Sequence, residues 1–182
     1  MPYDRDFERE QWQPPEDILD RIGIQPNSTF IDVGCGDGYF AIPAAQRVGT
    51  QGRVLGIDIN RAALARLQEK ANRKHLTNLE LTIGRAEDHV LCANCGDIVF
   101  FGINLHDFTN ATQVLQNARR MLKPSGILVN LDWKKEPMRI GPPLHIRFSQ
   151  HEASDLITGA QFRIVRTQDA GPYHYLIIAY PL

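Results

Sequence analysis

Short apolar runs alternate with helix-period stretches along most of this chain, and that alternation restricts it to a layered α/β fold. Residues 29–33, 53–57, 79–83, 97–101 and 127–131 read as strands. Ile98, Val99, Phe100 and Phe101 are apolar on both faces, as a parallel strand between two helical layers requires. Residues 16–22 suit a short helix, and 38–48 a longer one that confines Pro43 to its first turns. Asn60 caps a helix over 61–75, with Ala63, Leu64, Leu67 and Ala71 on one stripe. Ala111, Val114, Leu115, Ala118, Met121 and Leu122 form another stripe, stopped by Lys123-Pro124-Ser125-Gly126. Ser149 and Glu152 open a capping-box helix that runs through Ile157 and ends at Gly159. Residues 162–166 and 173–180 follow with only the Ala170-Gly171-Pro172 turn between them, so they pair antiparallel. The expectation is a three-layer α/β sandwich with a mostly parallel seven-stranded sheet and an antiparallel C-terminal hairpin. The 182 residues suit one domain over 16–182. Residues 1–15 form an N-terminal extension whose Tyr3, Phe7 and Trp12 suit a lid.

Open parallel sheets bind ligands beyond the carboxyl ends of their strands. That rule selects residues 34–38, 58–60, 84–88, 102–107 and 132–135. The first of these is Gly34-Cys35-Gly36-Asp37-Gly38. A dinucleotide turn needs a third glycine at position 39, where this chain has Tyr39. Asp32, two residues before the turn, would repel a pyrophosphate and attract an ammonium or sulfonium group. Asp58 ends the second strand, where a carboxylate suits ribose hydroxyls.

Residues Ile31-Asp32-Val33-Gly34-Cys35-Gly36-Asp37-Gly38 followed by Gly56-Ile57-Asp58-Ile59 resemble class I S-adenosylmethionine-dependent methyltransferases, with a Rossmann-like fold. Gly84-Arg85-Ala86-Glu87-Asp88 and Met121-Leu122-Lys123-Pro124-Ser125-Gly126-Ile127-Leu128 look like later motifs of that family, and the resemblance reaches over 16–182. Within the family it resembles small type-11 members of the quinone-biosynthesis and arsenite-methyltransferase kind. The resemblance implies S-adenosyl-L-methionine as cofactor, with S-adenosyl-L-homocysteine as product. Asp32 and the backbone of Gly34 and Gly36 would hold the methionine part, with Cys35 and Gly38 in the same cofactor-binding turn, Asp58 would hold the ribose, and Ile59, Ala86 and Glu87 would meet the adenine. Arg85 departs from the Asp that relatives often carry there, so Glu87 or a backbone carbonyl would meet the adenine amino group instead.

Methyl transfer is an in-line displacement from an activated donor, so the protein mainly aligns the reactants and excludes water. In Gly102-Ile103-Asn104-Leu105-His106-Asp107, Asn104 is expected to meet cofactor and substrate, His106 to accept a proton, and Asp107 to set the His106 tautomer. The long segment after the fifth strand reads as a functional loop. Trp133 there would wall the acceptor site or anchor the core, and Lys135, His145 or Arg147 would bind an anionic acceptor.

A net charge of −1 provides no general attraction for nucleic acid, and no apolar stretch reaches the roughly 18 residues of a membrane span. With a charged N-terminus, this points to a cytoplasmic enzyme with a small-molecule acceptor. Three cysteines are too few and too odd for a disulfide framework. Cys92 and Cys95 have C-x-x-C spacing, half a zinc site at most, and read as loop cysteines; thiol redox chemistry and a soft substrate stay open, and no metal is expected. The competing functions are a non-catalytic cofactor-binding regulator and a nucleotide-dependent oxidoreductase, which Tyr39 disfavours.

Overall fold

The computed structural model describes residues 9, 10 and 12–182. Seven strands form one sheet: β1 Thr29–Val33, β2 Arg53–Asp58, β3 Leu79–Ile83, β4 Gly96–Gly102, β5 Leu122–Trp133, β6 Phe162–Ala170 and β7 His174–Pro181, in the order β3-β2-β1-β4-β5-β7-β6. The first five are parallel, and β7 lies antiparallel to both β5 and β6. The order reverses between β1 and β4, so a crevice opens beyond their carboxyl ends.

Helices α1 Pro15–Arg21, α2 Ala41–Val48 and α3 Arg61–Arg73 cover one face. Their Leu19, Ala44 and Leu67 bury against Phe30, Phe100 and Leu176 of the sheet. Helices α4 Ala111–Met121 and α5 Gln150–Gly159 cover the other. There Leu115 and Ile157 pack with Ile31, Phe101 and Ile177. The adjacent residues Phe30 and Ile31 thus enter opposite cores, the strand period buried on both sides.

The caps follow the local chemistry. Asn60 accepts from the Ala63 amide at 3.1 Å, and Ser149 and Glu152 form a reciprocal capping box. Pro43 is the third residue of α2, where its missing N–H costs no helical bond. Several expected limits move. Helix α4 ends at Met121, and β5 begins at once with Leu122, before the Pro124–Gly126 stretch. Gly159 stays inside α5; the left-handed residue that turns the chain is Gln161, with φ 66°. Cys92 and Cys95 are joined as a disulfide, correcting the expectation of separate loop cysteines, while Cys35 is a buried free thiol. No helix among the described residues is long and apolar enough to cross a membrane.

Candidate active site

The glycine turn leaves β1 at the reversal point. Gly34 has φ 72°, and a Cβ there would run into the Asn104 amide. Asn104 Nδ2 donates to the Val33 carbonyl at 2.6 Å and the Gly34 carbonyl at 3.1 Å. Asn104 is therefore a clamp on the turn rather than a free substrate-orienting group. It is delivered by Ile103, a β-branched residue held at φ 61°. Such backbone strain is concentrated at functional sites.

Gly36 has φ 55°, and a Cβ on it would meet nothing within 4 Å. Its amide donates to Asp58 Oδ2 at 2.8 Å, while Asp58 Oδ1 accepts from the Asn60 amide at 2.8 Å. Asp58 thus ties the turn after β1 to the start of α3.

These segments enclose a cleft of about 330 Å³. Six residues expected to hold the cofactor line it: Gly34, Asp58, Ile59, Ala86, Glu87 and Asn104. Ile59 is 71 % exposed, an apolar side chain left on the cleft rim. Asp107 also reaches the lining; Asp32, Cys35, Gly36 and Gly38 do not. The Cys35 side chain turns into the core, where a Cβ on Gly56 would press its sulfur at 2.9 Å. Burial, with Asp32 and Asp58 nearby, pushes its thiol pKa far up, so Cys35 offers a ligand only its main chain.

Glu87 accepts from Arg85 Nη2 at 3.2 Å, so the unexpected arginine anchors the carboxylate beside it. Sequence reasoning missed Asn117. This buried α4 side chain donates to the Ala86 carbonyl at 2.9 Å and the Glu87 carbonyl at 2.7 Å, bracing one cleft wall. Its signal was a polar residue beside the Val114–Ala118 stripe.

Asp32 is 2 % exposed on β1. Burial raises its pKa from 3.8 to about 7; the Arg9 guanidinium and the Ala41 amide oppose that rise, and Asp58 adds to it. Arg9 lies over the Tyr39 ring at 3.8 Å, and Tyr39 donates its hydroxyl to the Gln13 carbonyl at 2.6 Å. Trp12 stacks on His174 with 5.2 Å between centroids and contacts Trp133 at 5.6 Å. Tyr3 and Phe7 lie outside the described residues.

His106 is beside the cleft but not in its lining, and its side chain is only 2 % exposed. Its Nδ1 pairs with Asp132 Oδ1 at 2.7 Å; Asp107 Oδ1 lies 3.4 Å from Nε2. The expected orienting role of Asp107 therefore falls to Asp132, on β5. Asp132, expected just past the fifth strand, lies inside β5, which runs on to Trp133 and is buried there on both faces.

The loop after β5 is reassigned in part. Arg147 is 3 % exposed, and its guanidinium donates to the carbonyls of Pro142, Lys134, Glu136 and Ile140. It holds the loop together and has no free face for an anionic substrate. Trp133 is buried against Trp12 and His174, the core-anchor alternative. Lys135 pairs with Glu152 at 2.8 Å, while His145 is exposed.

A family described as "Methyltransferase domain" matches residues 24–162. The chain is 31 % identical over 126 residues to a demethylmenaquinone methyltransferase of Oceanobacillus iheyensis, covering 69 % of this chain and 52 % of that protein. The chain thus spans about half the length of the curated relatives it matches. Among solved structures, an S-adenosylmethionine-dependent methyltransferase from Aquifex aeolicus superposes with TM-score 0.91 at 28 % identity, covering 96 % of this chain and 93 % of its own. A putative type 11 methyltransferase from Sulfolobus solfataricus shares the fold, with TM-score 0.77 at 24 % identity over 93 % and 92 % of the two chains.

Proposed function

Because the chain belongs to the class I S-adenosylmethionine-dependent methyltransferases, of the type-11 kind, we propose that it methylates a small-molecule acceptor at the cleft beyond β1 and β4. The observation that carries this reading is the cradle itself. Gly34 lines it at the turn, Asp58 reaches the lining from the end of β2, and exposed Ile59 offers an apolar face beside Ala86. An acceptor carboxylate beside an apolar face suits a ribose with an attached adenine. The residues fit the cofactor at its adenosine end. At the methionine end, Asp32 is covered, and Arg9 supplies the countercharge to it.

When bound, S-adenosylmethionine supplies an activated methyl group on a sulfonium sulfur. The protein's own work is positional. Asp58 and the Gly34–Gly36 backbone hold the donor, Glu87 and the Ala86 backbone meet the adenine edge, and Asn104 keeps the turn in shape. Arg9, Trp12 and Gln13, docked against Tyr39 and His174, act as a lid that excludes water over the covered end. At the opposite rim, Asp107 meets the acceptor and His106 takes up its proton. The relatives' names make a reduced quinone precursor such as demethylmenaquinol the acceptor to try first.

Two measurements test this. In calorimetry, S-adenosylmethionine and S-adenosylhomocysteine should bind and NAD should not; tight NAD binding with no response to the sulfur compounds would sink the reading. With a radiolabelled methyl group, label should pass to demethylmenaquinol or to another component of a metabolite extract. Binding without any labelled acceptor would leave a cofactor-sensing module.

A further inference from the structure

Behind the cleft, the end of β5 presents a buried carboxylate to the ring of His106. We propose that Asp132 is the positioning residue for His106, holding its Nδ1–H so that the Nε2 lone pair faces Asp107 and the cleft. The kinetic part of this inference rests on the methyl-transfer reading; the structural part does not.

Asp132 is 0 % exposed. Removing a carboxylate from water costs several kcal/mol, which an apolar residue at that place in the sheet would avoid. Its Oδ1 is committed: it receives His106 Nδ1 at 2.7 Å and the Trp133 amide at 2.8 Å. Its Oδ2 is buried and takes no protein hydrogen bond. Here a single oxygen is aimed by the next residue's backbone amide at a single ring nitrogen. Because Asp132 can only accept when ionised, the neutral ring must carry its proton on Nδ1, which leaves Nε2 as the acceptor.

Nε2 is the ring nitrogen nearer the cleft, 3.4 Å from Asp107 Oδ1. The Asp107 side chain is 60 % exposed and lines the cleft. For the acceptor to reach Nε2, the exposed Asp107 side chain must rotate away. The acceptor atom forms its bond to the methyl carbon, the S–C electron pair stays on sulfur as the thioether, and the acceptor's proton passes to Nε2. The resulting imidazolium lies between the carboxylates of Asp132, on β5, and Asp107, on its own turn. Burial opposes that cation, the two carboxylates favour it and prevail, and Arg147 from the loop after β5 opposes it; the His106 pKa is raised.

The test uses the full chain bound to S-adenosylhomocysteine, with ¹⁵N-labelled imidazole followed by NMR against pH. In the wild type, the neutral His106 ring should be protonated at Nδ1 and should titrate above 6.5. D132N should move the proton to Nε2 and bring the titration below that of the wild type, with D107N giving the smaller change. With demethylmenaquinol as acceptor, kcat should fall about 100-fold or more in D132N, within the usual span of proton-transfer catalysis. The Kd for S-adenosylhomocysteine should meanwhile stay within about threefold, far short of that loss, and the acid limb of the kcat profile should move down in pH. An unchanged tautomer and titration in D132N, or a Kd that weakens in step with kcat, would overturn the proposal. If D132N does not fold, the wild-type ring decides alone: a neutral ring protonated at Nε2 refutes it. Failure to label demethylmenaquinol counts against the acceptor reading and leaves the NMR result standing.

Discussion

Replacing Asp32 by Asn should stabilise the free protein and weaken its hold on the methyl donor. In the folded chain, burial raises the Asp32 pKa from 3.8 to about 7. A carboxyl group whose pKa is raised by folding contributes stability that is fully present below its unfolded pKa and lost as pH rises to the folded value. Here that window runs from about pH 4 to pH 7. At 1.36 kcal/mol for each tenfold change in proton affinity, the ionised carboxylate opposes folding by about 4 kcal/mol above pH 7. An Asn amide has the same shape without that charge, and its own burial returns about 1–3 kcal/mol. The expected net gain at pH 8 is therefore about 2 kcal/mol, or a Tm rise of about 4–8 °C for a chain of this size. Binding should move the other way. A cationic ammonium near the carboxylate favours its ionised form, so wild-type affinity for S-adenosylhomocysteine should increase with pH up to about 7. Losing that charged partner should cost about 10- to 100-fold in Kd. Thermal melts and calorimetry across pH 5–8.5, on both proteins, measure both effects. A D32N protein that is no more stable at pH 8, or that binds as the wild type does, refutes the assignment of Asp32 to the ammonium.

Three further outcomes follow from particular contacts. Asn117→Ala removes both amide bonds to the Ala86 and Glu87 carbonyls, and should weaken S-adenosylhomocysteine binding in calorimetry while costing about 1–3 kcal/mol in urea unfolding. Arg147→Ala leaves four carbonyls without their donor; we expect about 3 kcal/mol of lost stability and faster proteolytic cutting between 134 and 146, at unchanged donor affinity. His174, buried under Trp12, has a pKa lowered to about 3 by burial and by Arg9, Lys134 and Arg147. The unfolded chain takes up its proton near 6.5 and the folded chain does not, so stability falls by up to about 1.4 kcal/mol per pH unit below that point. His174→Phe should remove this part of the acid dependence; equal slopes for the two proteins in pH-dependent melts would refute it.

Much of the architecture was legible along the chain because its cause is local. Strand period, helical stripe and cap chemistry at Asn60 and Ser149 act within a few residues, and the elements and both caps appeared where the pattern put them, although the ends of α4 and α5 moved. The register of Gly34-x-Gly36-x-Gly38 with Asp32 and Asp58 was legible for the same reason: a turn that needs positive φ and a carboxylate at a strand end are requirements of short segments. Arg85 shows the limit within one motif. Its departure from Asp was visible, but its bond to Glu87 depends on side-chain direction.

The chemistry of the rim depended on distance in sequence. His106 and Asp132 are separated by 26 residues and meet because β4 and β5 are neighbours in the sheet, which made adjacent Asp107 look like the natural partner. Arg147 read as an anion-binding cation because nothing local shows a loop folding four carbonyls around it. Asp32 lies beside the turn, as its position in the sequence required, but its burial and its raised pKa exist only in the packed chain. The sequence alone determined the layered sheet and the glycine turn, since backbone conformation and hydrophobic period are encoded over short spans. Which polar groups are buried, and against which partners, was decided only by the tertiary structure, because burial and Coulomb energies depend on neighbours that the chain brings together late.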